Sequence, residues 1–165
     1  MTRTQLLALL VLCGCVHRAA LDQELSHVPI TNPLPPLTLT DTVLLVALRH
    51  ALLEGIPDFS PRTRVIVQAD PMVSARVLPG TDSTRFFILD HDRIQQLANR
   101  SQDFTFLILS KPAIRGDTAQ VQIQSAWAYQ RRGFRSGTGG GACIWLFTRE
   151  SGGWVRAKVI RCVVS

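Results

Sequence analysis

Two periodicities organise this chain. Over residues 41–55 apolar side chains recur every three to four positions, at Leu44, Leu45, Leu48 and Leu52, and Ile56 continues the row. That spacing predicts a helix with one buried stripe. Arg49, His50 and Glu54 fall largely off the stripe. Thr40 or Asp41 can accept the free amide hydrogens of the first turn, and Gly55 followed by Pro57 stops the helix. Beyond residue 118 the period changes to two. Val121, Ile123, Trp127 and Tyr129 alternate with Gln120, Gln122 and Gln124, which predicts a strand over residues 119–130 with one buried and one wet face.

Other segments fall between these two patterns. Residues 64–68 and 85–89 are short Val/Ile/Phe runs and predict strands, with residues 70–83 between them mostly loop. Residues 93–100 predict a short second helix, capped by Asp90 or Asp92. Residues 104–114 are apolar and β-rich, and Pro112 within them argues for an edge or a bulge. Gly116-Asp117 is a turn, residues 131–141 a basic, Gly-rich loop. Residues 142–150 and 154–164 are two further strands joined across Ser151-Gly152-Gly153. The expected fold class is α+β: one long N-terminal helix and a short helix packed on a curled antiparallel sheet whose last four strands form a meander.

The N-terminus has a different pattern. Met1-Thr2-Arg3 carries one positive charge, and an apolar run follows from Leu6 to Leu12. The run suits the apolar core of an export signal and is too short for a membrane span of roughly 20 residues. It ends in Leu12-Cys13-Gly14-Cys15, which resembles the bacterial lipoprotein pattern. The resemblance implies cleavage after Gly14 and a diacylglycerol thioether on Cys15. Rival readings are an ordinary secretory cleavage near Ala19-Ala20, acylation at Cys13, and a buried helix. The first sets His17 or Arg18, and the second Leu12, where a small residue is expected. Val16 rather than Asp after the acylated Cys favours the outer membrane, by analogy with the enterobacterial sorting rule. Residues 15–40 carry Pro29, Pro33, Pro35 and Pro36 and no apolar period, and read as a lipid anchor and extended tether. Residues 41–165 then form a single domain.

Composition changes this picture little. Lys and Arg number 18 against 12 Asp and Glu. Arg3 leaves with the signal, and the remaining excess is that of a soluble basic surface. The bacterial envelope as address makes nucleic acid a poor partner. The expected partners are the membrane, through the lipid on Cys15, and an envelope protein or a second copy of the chain.

Four cysteines lie at 13, 15, 143 and 162. The lipoprotein reading removes Cys13 and acylates Cys15, leaving Cys143 and Cys162 in a compartment that can oxidise them. With Gly152-Gly153 as a two-residue hairpin loop, Ser151 faces Trp154, and counting outward sets Cys143 opposite Cys162. That count makes them a hydrogen-bonded pair with Cα atoms about 5.5 Å apart. A disulfide is expected; two thiols side by side is the competing outcome.

Candidate chemistry is sparse. Gly137, Gly139, Gly140 and Gly141 precede a strand rather than a helix, so they do not build a phosphate cradle. Asp90-His91-Asp92 groups metal-capable side chains, but adjacent residues rarely converge on one ion, and a helix cap explains them; no metal or cofactor is expected. Cys143 and Cys162 lie among apolar neighbours, and no Gly-x-Ser-x-Gly elbow occurs, so no catalytic residue is assigned. A pocket between helix and sheet would draw on His50, Asp90, His91, Trp127 and Tyr129.

Residues 103–155 show an apolar strand, a Gly-Asp turn, an alternating strand and a hairpin carrying Phe147, Arg149, Gly152 and Trp154. This stretch resembles the end of small exported or cystatin/NTF2-like domains. The chain also resembles uncharacterised bacterial lipoproteins with a Gly-rich loop and a Cys before the final hairpin. The expectation is a lipid-anchored envelope protein with a non-enzymatic binding or assembly role. The alternative is an NTF2-like ligand-binding protein or enzyme with a pocket between helix and sheet.

Overall fold

Burial separates the strands into two kinds. The computed structural model describes residues 21–27, 37–57, 59, 64–68, 76–79, 84–101, 103–130 and 140–164. Strands β1 (Arg64–Gln68), β3 (Arg85–Leu89) and β4 (Phe104–Leu109) are buried at most positions, in unbroken runs of three or more in β1 and β3. Strands β6 (Thr118–Ala128) and β7 (Gly141–Glu150) alternate. Continuous apolar runs suit strands covered on both faces, the usual condition of parallel strands. Accordingly β1 pairs parallel with both β3 and β4, while β4-β6-β7-β8 pair antiparallel in succession, β8 being Gly153–Val164. The whole is a mixed eight-stranded sheet in the order β2-β3-β1-β4-β6-β7-β8, with the short β5 (Ala113–Arg115) also on β6. The class is α+β. The expected all-antiparallel sheet is corrected to a mixed one, because β3, helix α3 (His91–Arg100) and β4 form a crossover between parallel strands.

Side-chain alternation assigns the helices to opposite faces. Val65, Val67, Phe86, Ile88, Val121 and Ile123 share one core with helix α2 (Leu39–Glu54). Their neighbours Ile66, Phe87, Leu89, Ala126 and Ala128 share a second core with Ile94 and Leu97 of α3. Helix α2 begins two residues before the expected start. Thr38 caps it, its Oγ1 accepting from Asp41 N at 3.1 Å while Asp41 Oδ2 accepts from Thr38 N at 2.9 Å. This reciprocal capping satisfies two amide hydrogens that Thr40 could not reach. In α3 it is Asp90 that caps, Oδ1 accepting from Arg93 N at 2.7 Å.

The expected tether is corrected in part. Residues 21–26 are helical (α1), with Leu21 buried and Leu25 only 1% exposed in the second core. The spacing of four between these leucines gives one apolar edge, too short to register as a period. Asp22 and Glu24 lie on α1 beside Arg64 and Arg100 respectively. The prolines at 29, 33, 35 and 36, the signal, Cys15 and residues 131–139 of the Gly-rich loop lie outside the described residues.

Smaller corrections follow from local geometry. Strand β2 (Arg76–Pro79) occupies part of the expected loop and pairs with β3. The run 104–114 divides into β4 and β5, with Pro112 in the connection, where its missing amide hydrogen breaks no ladder.

The final hairpin turns one residue early. Its loop is Ser151-Gly152, closed by Glu150 opposite Gly153, whose φ is +120°. That register alone would leave Cys143 and Cys162 out of step. Register shifts at Ile144/Trp145 and Leu146/Phe147 set Cys143 opposite Cys162 after all. The two form a disulfide with Cα atoms 4.1 Å apart. That is closer than the wide pair of about 5.5 Å expected.

Candidate binding surface

The sheet's two halves are covered differently, and that leaves a surface. β1, β3 and β4 are buried on both faces, in the core shared with α2 and in the core shared with α3. Over β6, β7 and β8, α2 covers one face, packing on β6 and β8. On the other face α3 packs on the end of β6, at Ala126 and Ala128, and beyond it cross-strand rows stand without a helix above them among the described residues. Gln122, Ile144 and Arg161 form one row; Gln120, Leu146 and Lys158 form the next. The glutamines and cations are exposed, and Ile144 and Leu146 are half-buried. Along the edge strand β8, Val155, Val159, Ile160 and Val163 are exposed as well. An apolar strip rimmed by amides and cations, beside a long open edge, is a surface that other chains can pair with or pack on.

The two bulges and three cations of β8, Arg156, Lys158 and Arg161, are the features by which exposed edges resist indiscriminate pairing. The disulfide ties the far end of this edge to the buried Cys143, so the edge is held as a fixed template.

The proposed pocket residues do not converge. His50 lies on α2, its Nδ1 3.3 Å from Glu54 Oε1 and its ring 6.0 Å from Phe147. Glu54 Oε2 in turn accepts from Arg156 Nη1 at 2.9 Å. Asp90 and His91 begin α3, across the sheet from α2, and Asp90 is engaged as the cap. Trp127 and Tyr129 do meet, with ring centroids 6.3 Å apart and planes within 20°. Trp127 is not core, however: it is 41% exposed. The alternation places it on the α2 side, but at the end of β6, where no helix among the described residues covers that face. Among the described residues no three His, Cys, Asp or Glu side chains stand close enough to hold a metal ion. None of their helices is long and apolar enough to cross a membrane.

One end of the sheet collects a second group of exposed residues. Arg64 and Arg85 stand side by side where the parallel strands β1 and β3 begin. At the same end β4 begins and β6 finishes, Phe104 opposite Ala128 and Thr105 opposite Trp127. The exit of β6 is fixed by Gln130 N donating to Asp103 Oδ1 at 2.7 Å and by Gln95 Nε2 donating to the Tyr129 carbonyl at 2.8 Å. Helix α1 sits here too: Arg64 Nη1 donates to the Asp22 carbonyl, and Arg100 Nη1 lies 3.6 Å from Glu24 Oε2.

A tight packing point lies beneath this end. Ser125 is buried, donating from Oγ to the Pro57 carbonyl at 2.7 Å and accepting from Gly141 N at 2.8 Å. Any Cβ at Gly141 would overlap the Pro57 ring. The missing side chain at Gly141 permits this backbone approach.

Sequence reading did not pick out Arg64, Arg85, Ile144, Leu146, Lys158 or Arg161 as surface candidates. The available signal was the alternation in β7 together with the lack of a second long apolar helix to cover both faces of the last strands. Compared with known protein families, curated proteins and solved structures, the chain matches none.

Proposed function

We propose that this chain is a lipid-anchored cell-envelope protein, acylated on Cys15, whose folded domain has a non-enzymatic binding role. The pattern Leu12-Cys13-Gly14-Cys15 behind a short apolar run supports the anchor. The Cys143–Cys162 disulfide fits an oxidising compartment outside the cytoplasm. One observation carries the binding role: the Ile144 and Leu146 strip of β7, rimmed by Lys158 and Arg161, with no helix above it among the described residues. An envelope protein or a second copy of the chain would bury that strip.

Fractionation of cells producing the Cys15→Ser variant tests the anchor: the protein should leave the membrane fraction or stay uncut. Site-specific photo-crosslinking from Leu146 tests the face. A discrete adduct is expected from position 146 and not from Arg149, on the α2 side of β7. No adduct at 146, or equal labelling at both positions, rejects the binding face.

A further inference from the structure

We infer that the open strip of β7 and β8 receives an acidic segment of a second envelope protein, its apolar side chains on Ile144 and Leu146 and its carboxylates on Lys158 and Arg161. This rests on the binding reading above and adds the chemistry of the partner.

The two bulges of β8 supply the first argument. Along a regular strand side chains alternate, so positions 156 and 158 would share one face and position 161 would take the other. The pairing is different. Arg156 stands opposite Phe147, Lys158 opposite Leu146 and Arg161 opposite Ile144. The register shift between Leu146 and Phe147 leaves Ala157 as an extra residue, and the shift between Ile144 and Trp145 leaves Ile160. Each extra residue re-aims the side chains beyond it. Arg156 thereby goes to the α2 face, where Glu54 Oε2 accepts from its Nη1 at 2.9 Å. Lys158 and Arg161 come together on the open face, in adjacent rows about 7 Å apart.

Charge balance supplies the second. Residues 151–165 hold no acidic side chain. Lys158 and Arg161 are exposed and make no ion pair among the described residues. Asp117 and Glu150 lie at the hairpin end, as Arg115 does. Glu150 is four positions along β7 from Leu146, roughly 13 Å. Gln120 and Gln122 on the far side of the strip are uncharged, so its positive rim is β8 alone. A partner fits when carboxylates follow its apolar side chains at roughly 6 to 7 Å, as alternate residues of a strand or i, i+4 residues of a helix do. A second copy presents the same two cations, so a two-fold contact centred on the strip sets like charges together.

The test photo-crosslinks from position 146 in cells that produce the protein natively and identifies the joined peptide by mass spectrometry. The expected adduct is to another protein, at a segment with two or more Asp or Glu within four residues of the joined site. Lys158→Glu with Arg161→Glu should lower its yield at least about fivefold, while Lys158→Arg with Arg161→Lys should keep it within about twofold. The Cys143–Cys162 disulfide reports that the reversed chain has folded. Where it is missing, Lys158→Gln with Arg161→Gln replaces the reversal, with a loss of at least about twofold expected. A yield that survives these changes, a joined segment without acids, or an adduct to a second copy overturns the inference and leaves the binding face standing. No adduct from position 146 rejects the binding face itself, and the inference with it.

Discussion

Leu25→Ala separates a docked N-terminal helix from a loose tether by a free-energy difference large enough to measure. Leu25 is 1% exposed and lies in the core with Ile94, Leu97 and Phe87. Truncation removes three carbon groups at about 0.8 kcal/mol each, or about 2.4 kcal/mol. A cavity term would add to this in a rigid interior. Helix α1 is short and terminal, however, and can shift to close the space, which keeps the expected loss near 2 to 3 kcal/mol. There is also a ceiling. Once α1 has left the sheet, a second truncation costs nothing more, so the loss cannot exceed the docking free energy of α1. Leu21→Ala with Leu25→Ala should therefore fall short of the sum of the two single losses. The ion pairs Asp22–Arg64 and Glu24–Arg100 are partly exposed and add at most about 1 kcal/mol each. Urea unfolding of the Cys15→Ser chain beginning at position 15, followed by tryptophan emission, gives the midpoint and slope. A loss of less than about 0.5 kcal/mol in Leu25→Ala would refute the docking and restore the tether.

Three further outcomes follow from the same geometry. Replacing both Cys143 and Cys162 by Ala should lower stability by about 3 kcal/mol and raise the denaturant slope, because the closed loop spans 19 positions; unchanged unfolding in a non-reduced comparison would contradict this. Ser125→Ala should cost about 1 to 3 kcal/mol, since it orphans the buried Gly141 amide, whereas Ser125→Thr tests space alone; calorimetry with Ser125→Ala at the wild-type melting temperature would show that the hydroxyl is dispensable. Gly141→Ala should destabilise by about 1 to 3 kcal/mol through overlap with Pro57, while Gly152→Ala, with nothing within 4 Å of its Cβ position, should change the midpoint by less than about 0.5 kcal/mol; equal effects at the two positions would contradict the packing.

Local pattern was legible where one face of an element is wet. Helix α2, strand β6 and the final hairpin show their periods openly, and the even loop kept Cys143 and Cys162 on one face. The pairing emerged despite a misplaced loop, because the two register shifts restore the count that the early turn removes. Nothing in residues 145–160 announces those shifts. Parallel pairing was harder to see. The runs at 64–68, 85–89 and 104–109 are apolar at most positions, the mark of strands buried on both faces, yet they are too short to say which strand lies beside which. Trp127 sat on the correct face by alternation, but alternation does not say where the covering helix stops. Leu21 and Leu25 give two apolar positions among polar ones, and only the tertiary contact with α3 distinguishes that from a solvated segment. The candidate surface was the least legible part, because an uncovered sheet face is a property of the arrangement of helices rather than of any motif.

The proposed anchor on Cys15 underlies the proposed address of this protein, and peptide mass mapping of material extracted from the membrane reads it directly. The account predicts a mature chain whose first residue is Cys15, carrying a diacylglycerol thioether, with Val16 next and residues 1–14 absent. A mature chain that begins elsewhere and carries no lipid would contradict it.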